Sequence, residues 1–339
     1  MKEKTSVTLI KANKSFKWTT IAEVAGKIMA PIINMVLARF VAPELFGIVA
    51  SISIVVSFAE LFSEGGFSRF IIQKEFEEDD SLKKYSGTAN ISTIVISISI
   101  FIAIAVFRTQ LSKLVGASGY EYYLVLAALQ IPAFGFCSIQ IAVAKRKFEY
   151  KKLSIVRMSV VALRLVVSLI FAFTYRLIEA LVLGAVLPAV AQSFILIIIY
   201  RKDVSFRFSF TKLKEMFALS ILFLGESFVS WLSTSIETFL IVYYFDQTIN
   251  GLYKNAFSTV SGIVAIVVAI YSSIMVSLLS RTQNDRDIFS SIILRYQKII
   301  SFITVPMGFG IFFYKDFLTS VFFGSGWESA TIIVGLFGI

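Results

Sequence analysis

Long apolar stretches alternate with short polar segments along almost the whole chain, and each apolar stretch is close to the length that crosses a bilayer. A helical crossing needs about 20 apolar residues, and lipid offers no hydrogen-bond partner to unpaired backbone groups. The pattern therefore predicts an all-α, polytopic membrane protein. The predicted spans are Trp18–Val41, Glu44–Ser63, Ala89–Phe107, Tyr122–Ala144, Leu153–Tyr175, Ile178–Tyr200, Met216–Phe245, Leu252–Leu279, Ile292–Tyr314 and a tenth that begins near Trp327.

The two termini need separate interpretation. The first apolar stretch is too long for a signal peptide, contains Glu23 and Lys27, and lacks a small-residue cleavage site, so we predict a retained first helix. The tenth stretch reaches Ile339 without a polar flank. We therefore expect the sequence to be a fragment or to carry an early stop.

Lys and Arg are concentrated in every second polar segment. With a cytoplasmic N-terminus, 23 of the 32 basic residues fall inside, six fall outside, and three lie within predicted spans. Cytoplasmic loops are enriched in Lys and Arg, so this bias predicts a cytoplasmic N-terminus. It also explains the net charge of +10, because cations next to anionic lipid are stabilising. No nucleic-acid partner is needed to explain the charge.

Composition narrows the possible chemistry. The chain is 57% hydrophobic and 16% charged, with a mean hydropathy of +0.82, which is outside the range of soluble domains. There is no His and a single Cys, Cys137, within an apolar span. Histidine-based catalysis and ordinary zinc or haem sites are excluded, and we predict no cofactor.

The spans also suggest an internal repeat. Six precede a polar linker and the seventh again begins inside, which is typical of parallel repeats. We predict a six-helix N-terminal lobe (1–200), a cytoplasmic linker (201–215) and a C-terminal lobe (216–339) with four helices present. Gly47 and Gly251 each open a helix after an aromatic-rich helix end, 204 residues apart. A generic interfacial turn would explain this similarity equally well.

One stretch resembles a known family. The run LARFVAPELFGIVASISIVVSFAELFSEGGFSRFIIQKE, Leu37 to Glu75, is similar to the first hairpin of the polysaccharide biosynthesis (Wzx-like) flippases, whose superfamily also holds the MATE exporters. The second half is similar to the family's seventh and eighth helices at Glu237, Asp246, Gly251 and Tyr253. The first-half residues that match the family pattern are Ala38, Arg39, Phe40, Pro43, Glu44, Gly47, Gly65, Gly66, Ile72 and Gln73.

The resemblance implies a MATE-like two-lobe bundle of twelve or more helices, of which about ten are present. It implies a transporter, not an enzyme, that moves an undecaprenyl-pyrophosphate-linked oligosaccharide of O-antigen, capsule or exopolysaccharide across the bacterial inner membrane by alternating access. The implied partners are this lipid-linked oligosaccharide, membrane lipids, and a polysaccharide polymerase and chain-length regulator.

Charges within spans are costly and usually mark a cavity or a partner. In the first helix Glu23, Lys27 and Asn34 share a face, as an internal ion pair or as part of a cavity lining. In the fifth, Arg157 and Arg164 are seven residues apart on one face. Paired guanidiniums suit a pyrophosphate, because their planar fork binds phosphate oxygens bidentately. The alternative for Arg157 is an interfacial anchor.

Two further groups complete the candidates. Glu226, Ser230 and Glu237 step along one face of the seventh helix and could line a cavity, couple an ion or pair with Arg164. Arg69 follows the Gly65-Gly66 break and could meet incoming phosphate, anchor at the interface, or pair with Glu60 or Glu64.

Two other functions stay open. One is a MATE-like exporter of cationic drugs, which the acidic residues favour. The other is an integral-membrane glycosyltransferase or polymerase, although the sequence has no sizeable polar loop that could carry catalytic residues.

Overall fold

The protein is described by a computed structural model that covers residues 25–26, 28–64, 66–76, 79–174, 177–282 and 286–339. Within these ranges the regular structure is entirely helical. The helices are α1 (Ile28–Ala38), α2 (Pro43–Glu64), α3 (Phe67–Gln73), α4 (Asp79–Val106), α5 (Arg108–Leu114), α6 (Glu121–Ala128), α7 (Gln130–Arg146), α8 (Tyr150–Phe173), α9 (Leu177–Tyr200), α10 (Phe210–Tyr244), α11 (Gln247–Thr282), α12 (Arg286–Phe313), α13 (Lys315–Phe322) and α14 (Ala330–Leu336).

Eight helical segments in the described part are long and apolar enough to cross a membrane, which confirms the polytopic all-α prediction. They are Pro43–Ser63, Ser81–Val106, Glu121–Arg146, Tyr150–Phe173, Leu177–Tyr200, Phe210–Tyr244, Gln247–Val268 and Phe289–Phe313. The first predicted span lies largely outside the described residues, and its described part is the apolar helix α1. The stretch near Trp327 forms only the seven-residue helix α14.

Several predicted boundaries are wrong by a few turns. The helix predicted from Ala89 begins at Asp79, and the helix predicted from Met216 begins at Phe210. Hydropathy marks where the lipid begins, whereas both helices continue beyond that point, where Leu82 and Tyr85 of α4 and Leu213 of α10 pack in one apolar cluster. The fourth predicted span is two helices that meet at Leu129, where Pro132 in the first turn of α7 cannot donate a backbone hydrogen bond.

The most extensive packing joins α2 to α11 and α8 to α9. One large apolar cluster contains residues of α1, α2, α8 and α9 together with residues of α11, α12 and α14. Helices from both predicted lobes therefore share a core.

The α2–α11 contact is built on two glycines. A Cβ on Gly47 would lie 1.8 Å from the carbonyl oxygen of Gln247, and a Cβ on Gly251 would lie 1.8 Å from the carbonyl oxygen of Pro43. Gln247 and Pro43 are also 204 residues apart, as the two glycines are. The helices therefore meet in a reciprocal, two-fold-like contact, and the Gly47–Gly251 correspondence is more than a shared turn type.

The bundle has two distinct ends. At the Lys/Arg-rich end, the Lys147 ammonium contacts the Asp203 carboxylate at 2.6 Å, which joins the α7–α8 turn to the segment after α9. At the opposite end, the Trp327 indole donates to the Ala38 carbonyl at 3.0 Å, and the Gln247 amide donates to the Gly116 carbonyl at 2.8 Å. The predicted alternation of basic and less basic loops thus corresponds to the two ends of one bundle.

Candidate functional site

The candidate site lies where α10 crosses α2 and α3. Gly66, which precedes α3, has a left-handed backbone (φ 71°) that favours glycine. A Cβ on Gly66 would lie 2.4 Å from the carbonyl oxygen of Ser220 in α10. The break after α2 therefore turns the chain and also lets α3 touch α10.

Arg69 and Glu226 form an ion pair across this contact. The guanidinium also lies 5.6 Å from the centre of the Phe223 ring. From the sequence, Glu60 and Glu64 of α2 were considered as partners of Arg69. The observed partner is Glu226, so the ion pair joins α3 to α10. Its side chains are 40% and 66% exposed, so the pair lies at the open edge of the α3–α10 contact and not in its packed core.

A second polar group lies one turn of α3 farther on. The Lys74 ammonium donates to the Tyr85 hydroxyl at 3.0 Å, and that hydroxyl donates to Glu215 of α10. The Tyr85 hydrogen bond, together with the charge of Glu215, raises the pKa of Lys74 above its ordinary value, although burial acts in the opposite direction. This Lys/Arg-rich end of the α3–α10 contact therefore combines the partly exposed charges of Lys74 and Glu215 with the buried ring of Tyr85.

Aromatic side chains fill the middle of the α2–α10 contact. Trp231 donates to the Ser57 hydroxyl at 3.0 Å and lies 4.8 Å, centre to centre, from Phe58. Phe228 lies 6.1 Å from Trp231 on the same helix. None of these aromatic residues was expected in the site from the sequence, although Trp231 is one of only three tryptophans.

At the opposite end, α2 and α11 are held by buried neutral groups. The Asn250 amide donates to the Gly47 carbonyl at 3.0 Å and to the Ser51 hydroxyl at 3.1 Å. Ser51 in turn donates to the Gln247 side chain at 3.0 Å. Asn250, Ser51 and Gln247 were not predicted from the sequence, because uncharged polar side chains near a turn give no distinctive signal.

Asn34 and Glu237 also contact α11. Asn34 donates to the Ser258 hydroxyl at 3.3 Å. Glu237 accepts hydrogen bonds from Lys254 and from the Tyr253 hydroxyl, both at 2.8 Å. The polar face of α10 is therefore not one acidic stripe: Glu226 is bound to α3, Glu237 is bound to α11, and Ser230 between them is exposed.

The two arginines of α8 lie apart from these groups. Arg157 is exposed and lies beside Gly26, at a cavity of about 190 Å³ that Met29, Met158 and Val161 also line. Arg164 is half-buried and, among the described residues, has no ion-pair or hydrogen-bond partner. Glu23 and Lys27 lie outside the described residues, so their predicted roles have no structural counterpart here.

Sequence comparisons identify relatives over most of the chain. The model of a family described as polysaccharide biosynthesis protein matches residues 36–332. The succinoglycan biosynthesis transport protein ExoT of Rhizobium meliloti (strain 1021) is 21% identical over 306 residues, which is 90% of this chain and 61% of that protein. A membrane protein of the cps region of Klebsiella pneumoniae is 20% identical over 322 residues, 94% of this chain and 65% of that protein. The chain thus spans less than two thirds of either relative.

Solved structures with a similar fold include the lipid II flippase MurJ in an inward closed conformation. Its TM-score is 0.71 at 17% identity, over 94% of this chain and 70% of that chain. A MATE family transporter in an inward-facing conformation has a TM-score of 0.66 at 14% identity, over 91% and 75%. At these identities the likeness concerns the fold, and it confirms the predicted MATE-like bundle.

Proposed function

Because the chain belongs to the polysaccharide biosynthesis protein family, we propose that the whole protein moves a lipid-linked oligosaccharide across the membrane by alternating access. It is a multi-pass protein of the bacterial inner membrane. The proposed cargo is an undecaprenyl-pyrophosphate-linked repeat unit of a surface polysaccharide. The match over residues 36–332 carries the proposal, and the two-fold-like contact between α2 and α11 supports it.

The proposed working units are the two lobes, residues 1–200 and 216–339, with the N-terminus in the cytoplasm. Helix α10 begins at Phe210, within the proposed linker of residues 201–215. The Lys/Arg-rich end is then cytoplasmic. Two lobes of the same orientation that rock about a shared contact would expose a central site to either side in turn.

The contacts at the two ends suit such a cycle. The proposed cytoplasmic end is held by exposed ion pairs, which contribute little to stability. The opposite end is held by close glycine packing and buried amide hydrogen bonds. We expect the cytoplasmic end to open first, because the ion pairs across it are exposed, whereas the amide hydrogen bonds at the opposite end are buried.

Arg164 is the proposed seat for the pyrophosphate. A guanidinium within a span is costly unless something compensates it. The two acidic residues of α10 that could have neutralised it are engaged elsewhere, Glu226 by Arg69 and Glu237 by Lys254. An anionic headgroup would supply the counter-charge that no described residue provides, with Arg157 and Lys27 as further cations on its path from the cytoplasmic leaflet.

A MATE-like exporter of cations is less well supported. Such a carrier needs an available carboxylate in its cavity, whereas Glu226 and Glu237 each already contact a cation. We also propose that the protein acts as a transporter without catalytic activity. Its proposed protein partners are a polysaccharide polymerase and a chain-length regulator.

Deletion of the gene in its host tests the function. We expect loss of the surface polysaccharide and accumulation of its lipid-linked repeat unit in the cytoplasmic leaflet, with both effects reversed by the full-length gene. An unchanged polysaccharide, or accumulation of a precursor that lacks its complete repeat unit, would contradict a transport role.

A further inference from the structure

The segment between α9 and α10 is fixed to the first turns of α4. We call residues 201–210 the strap. The Ser205 hydroxyl donates to the Lys83 carbonyl at 2.6 Å, and the Ser209 backbone N–H donates to the Thr88 hydroxyl at 3.1 Å. The strap therefore follows one side of a helix and is not a free linker.

Close packing reinforces this attachment. A Cβ on Gly87 would lie 2.3 Å from the Ser205 hydroxyl and 2.8 Å from the Arg207 carbonyl oxygen, so the strap approaches α4 where α4 has no side chain. Val204 is buried in the same apolar cluster as Leu82 and Tyr85. One side of the strap therefore packs against α4, and the remaining side chains of the strap form its exposed side.

Three phenylalanines occupy that other side. Phe206, Phe208 and Phe210 stand at alternate positions and are 68%, 50% and 74% exposed. Side chains at alternate positions of an extended segment point to the same side, which places Phe206 with Phe208. Ser209 has extended backbone angles (φ −142°, ψ 119°), and Phe210 opens α10 directly after it. A row of exposed rings is unfavourable in water and marks an interaction surface.

Four exposed cations lie close to these rings along the sequence. Arg201, Lys202, Arg207 and Lys214 are exposed and form no ion pair with any residue the structure describes. The acidic residue of the strap, Asp203, is already paired with Lys147. The surface therefore combines apolar rings with a net positive charge.

The position of the strap identifies its partner. Both α9 and α10 are long and apolar enough to cross a membrane; α9 ends at Tyr200 and α10 begins at Phe210. A nine-residue segment between two spans on the same side must lie at the membrane–water interface, where aromatic side chains are favoured and cations attract anionic lipid.

We propose that the strap is a docking surface for the headgroups of anionic phospholipids, with the three rings inserted between headgroups and the four cations at their phosphates. Because the strap joins α4 to the start of α10, bound lipid fixes the relative position of these two helices. The proposal does not depend on the identity of the transported molecule.

Spin labelling tests the insertion. The chain carrying Phe208→Cys is labelled and placed in nanodiscs of phosphatidylcholine, with or without phosphatidylglycerol; the native Cys137 is buried and stays unlabelled. We expect the label to become accessible to oxygen and protected from a water-soluble relaxation agent when phosphatidylglycerol is present. A control label at Ser118→Cys, in an exposed turn at the opposite end, stays in water. A label at position 208 that stays in water in both lipids would overturn the proposal.

Charge neutralisation tests the lipid selectivity. Phosphatidylglycerol is expected to raise the unfolding temperature of the wild-type chain, and Arg207→Gln/Lys214→Gln, which removes two of the four cations, to lose about half of that shift. Arg108→Gln/Lys113→Gln removes the same charge at the opposite end of α4 and keeps the shift. Equal shifts in the two variants would refute a specific role of the strap. No transport is measured, so this result is independent of the proposed function.

Discussion

At the residue scale, the charges in the described membrane helices differ in whether they have a partner. Glu226 and Glu237 each contact a cation on a neighbouring segment, Arg69 and Lys254 respectively. Arg164 has no such partner among the described residues. The spacing of polar residues along α8 and α10 predicts Arg164, Glu226 and Glu237 as candidates from the sequence. It cannot predict their partners, because these depend on which helices pack together.

Substitution of Arg164 is expected to weaken binding of the cargo headgroup. Hydrogen bonds to charged groups contribute about 1.5–3 kcal/mol, so Arg164→Gln should lower the affinity of the full-length protein for undecaprenyl pyrophosphate by about 10- to 100-fold, and Arg164→Lys should lower it less because the charge is kept. Titration of the purified protein with this lipid measures the effect. Arg108→Gln at the start of α5 is the matched control, and equal affinities for all variants would exclude Arg164 as the seat.

The Arg69–Glu226 pair is expected to affect opening more than stability. Exposed pairs contribute below about 1 kcal/mol, so Arg69→Gln and Glu226→Gln should each change the unfolding free energy by less than that amount. Both should make cysteines placed at the α3–α10 contact more accessible to a water-soluble thiol reagent, and the exchanged pair Arg69→Glu/Glu226→Arg should restore protection. Failure of the exchanged pair to restore protection would show that the pair does not hold this contact.

At the element scale, the α2–α11 contact depends on the absence of side chains. Gly47 and Gly251 each allow the partner backbone to approach to a distance at which no Cβ fits. Element types were predictable from apolar length, but the extra turns of α4 and the α6–α7 junction were not. These depend on the packing of polar turns and on Pro132, features that hydropathy does not resolve.

Alanine at either glycine is expected to destabilise the protein equally. Each added methyl group meets a carbonyl oxygen at the same distance, and overpacking costs about 1–3 kcal/mol. Gly47→Ala and Gly251→Ala should therefore lower the unfolding temperature similarly, and the double variant should lose less than the sum, because both changes separate the same helices.

Gly310→Ala provides the comparison, because a Cβ there meets no atom within 4 Å. It should leave the unfolding temperature unchanged or raise it, since alanine is the better helix former. Unequal losses at Gly47 and Gly251, or additive losses in the double variant, would argue against a reciprocal contact.

At the scale of the whole molecule, the alternation of basic loops and apolar spans predicted a multi-pass helical bundle, and the hairpin around Pro43 and Gly47 predicted the family. The α2–α11 interface was only partly predictable. The 204-residue correspondence between Gly47 and Gly251 indicated it, but nothing in the sequence indicated the amide hydrogen bonds of Asn250 and Gln247. Uncharged polar residues acquire a role only when the helices are placed against each other.

The orientation can be measured on the whole molecule. Single cysteines at Lys202 and Lys113, at opposite ends of the bundle, are treated with a membrane-impermeant thiol reagent in spheroplasts. We expect labelling at position 113 in intact spheroplasts and at position 202 only after lysis, because the Lys/Arg-rich end is predicted to be cytoplasmic. The reverse result would invert the proposed direction of transport.

Transport in proteoliposomes tests the central claim most directly. The full-length protein is reconstituted with a fluorescent undecaprenyl-pyrophosphate-linked oligosaccharide, and the fraction that a membrane-impermeant quencher reaches is followed with time. The account predicts that the wild-type protein moves this lipid between leaflets and that Arg164→Glu stops the movement while leaving the protein folded. Movement at the rate of protein-free vesicles, or equal movement in the Arg164→Glu variant, would contradict it.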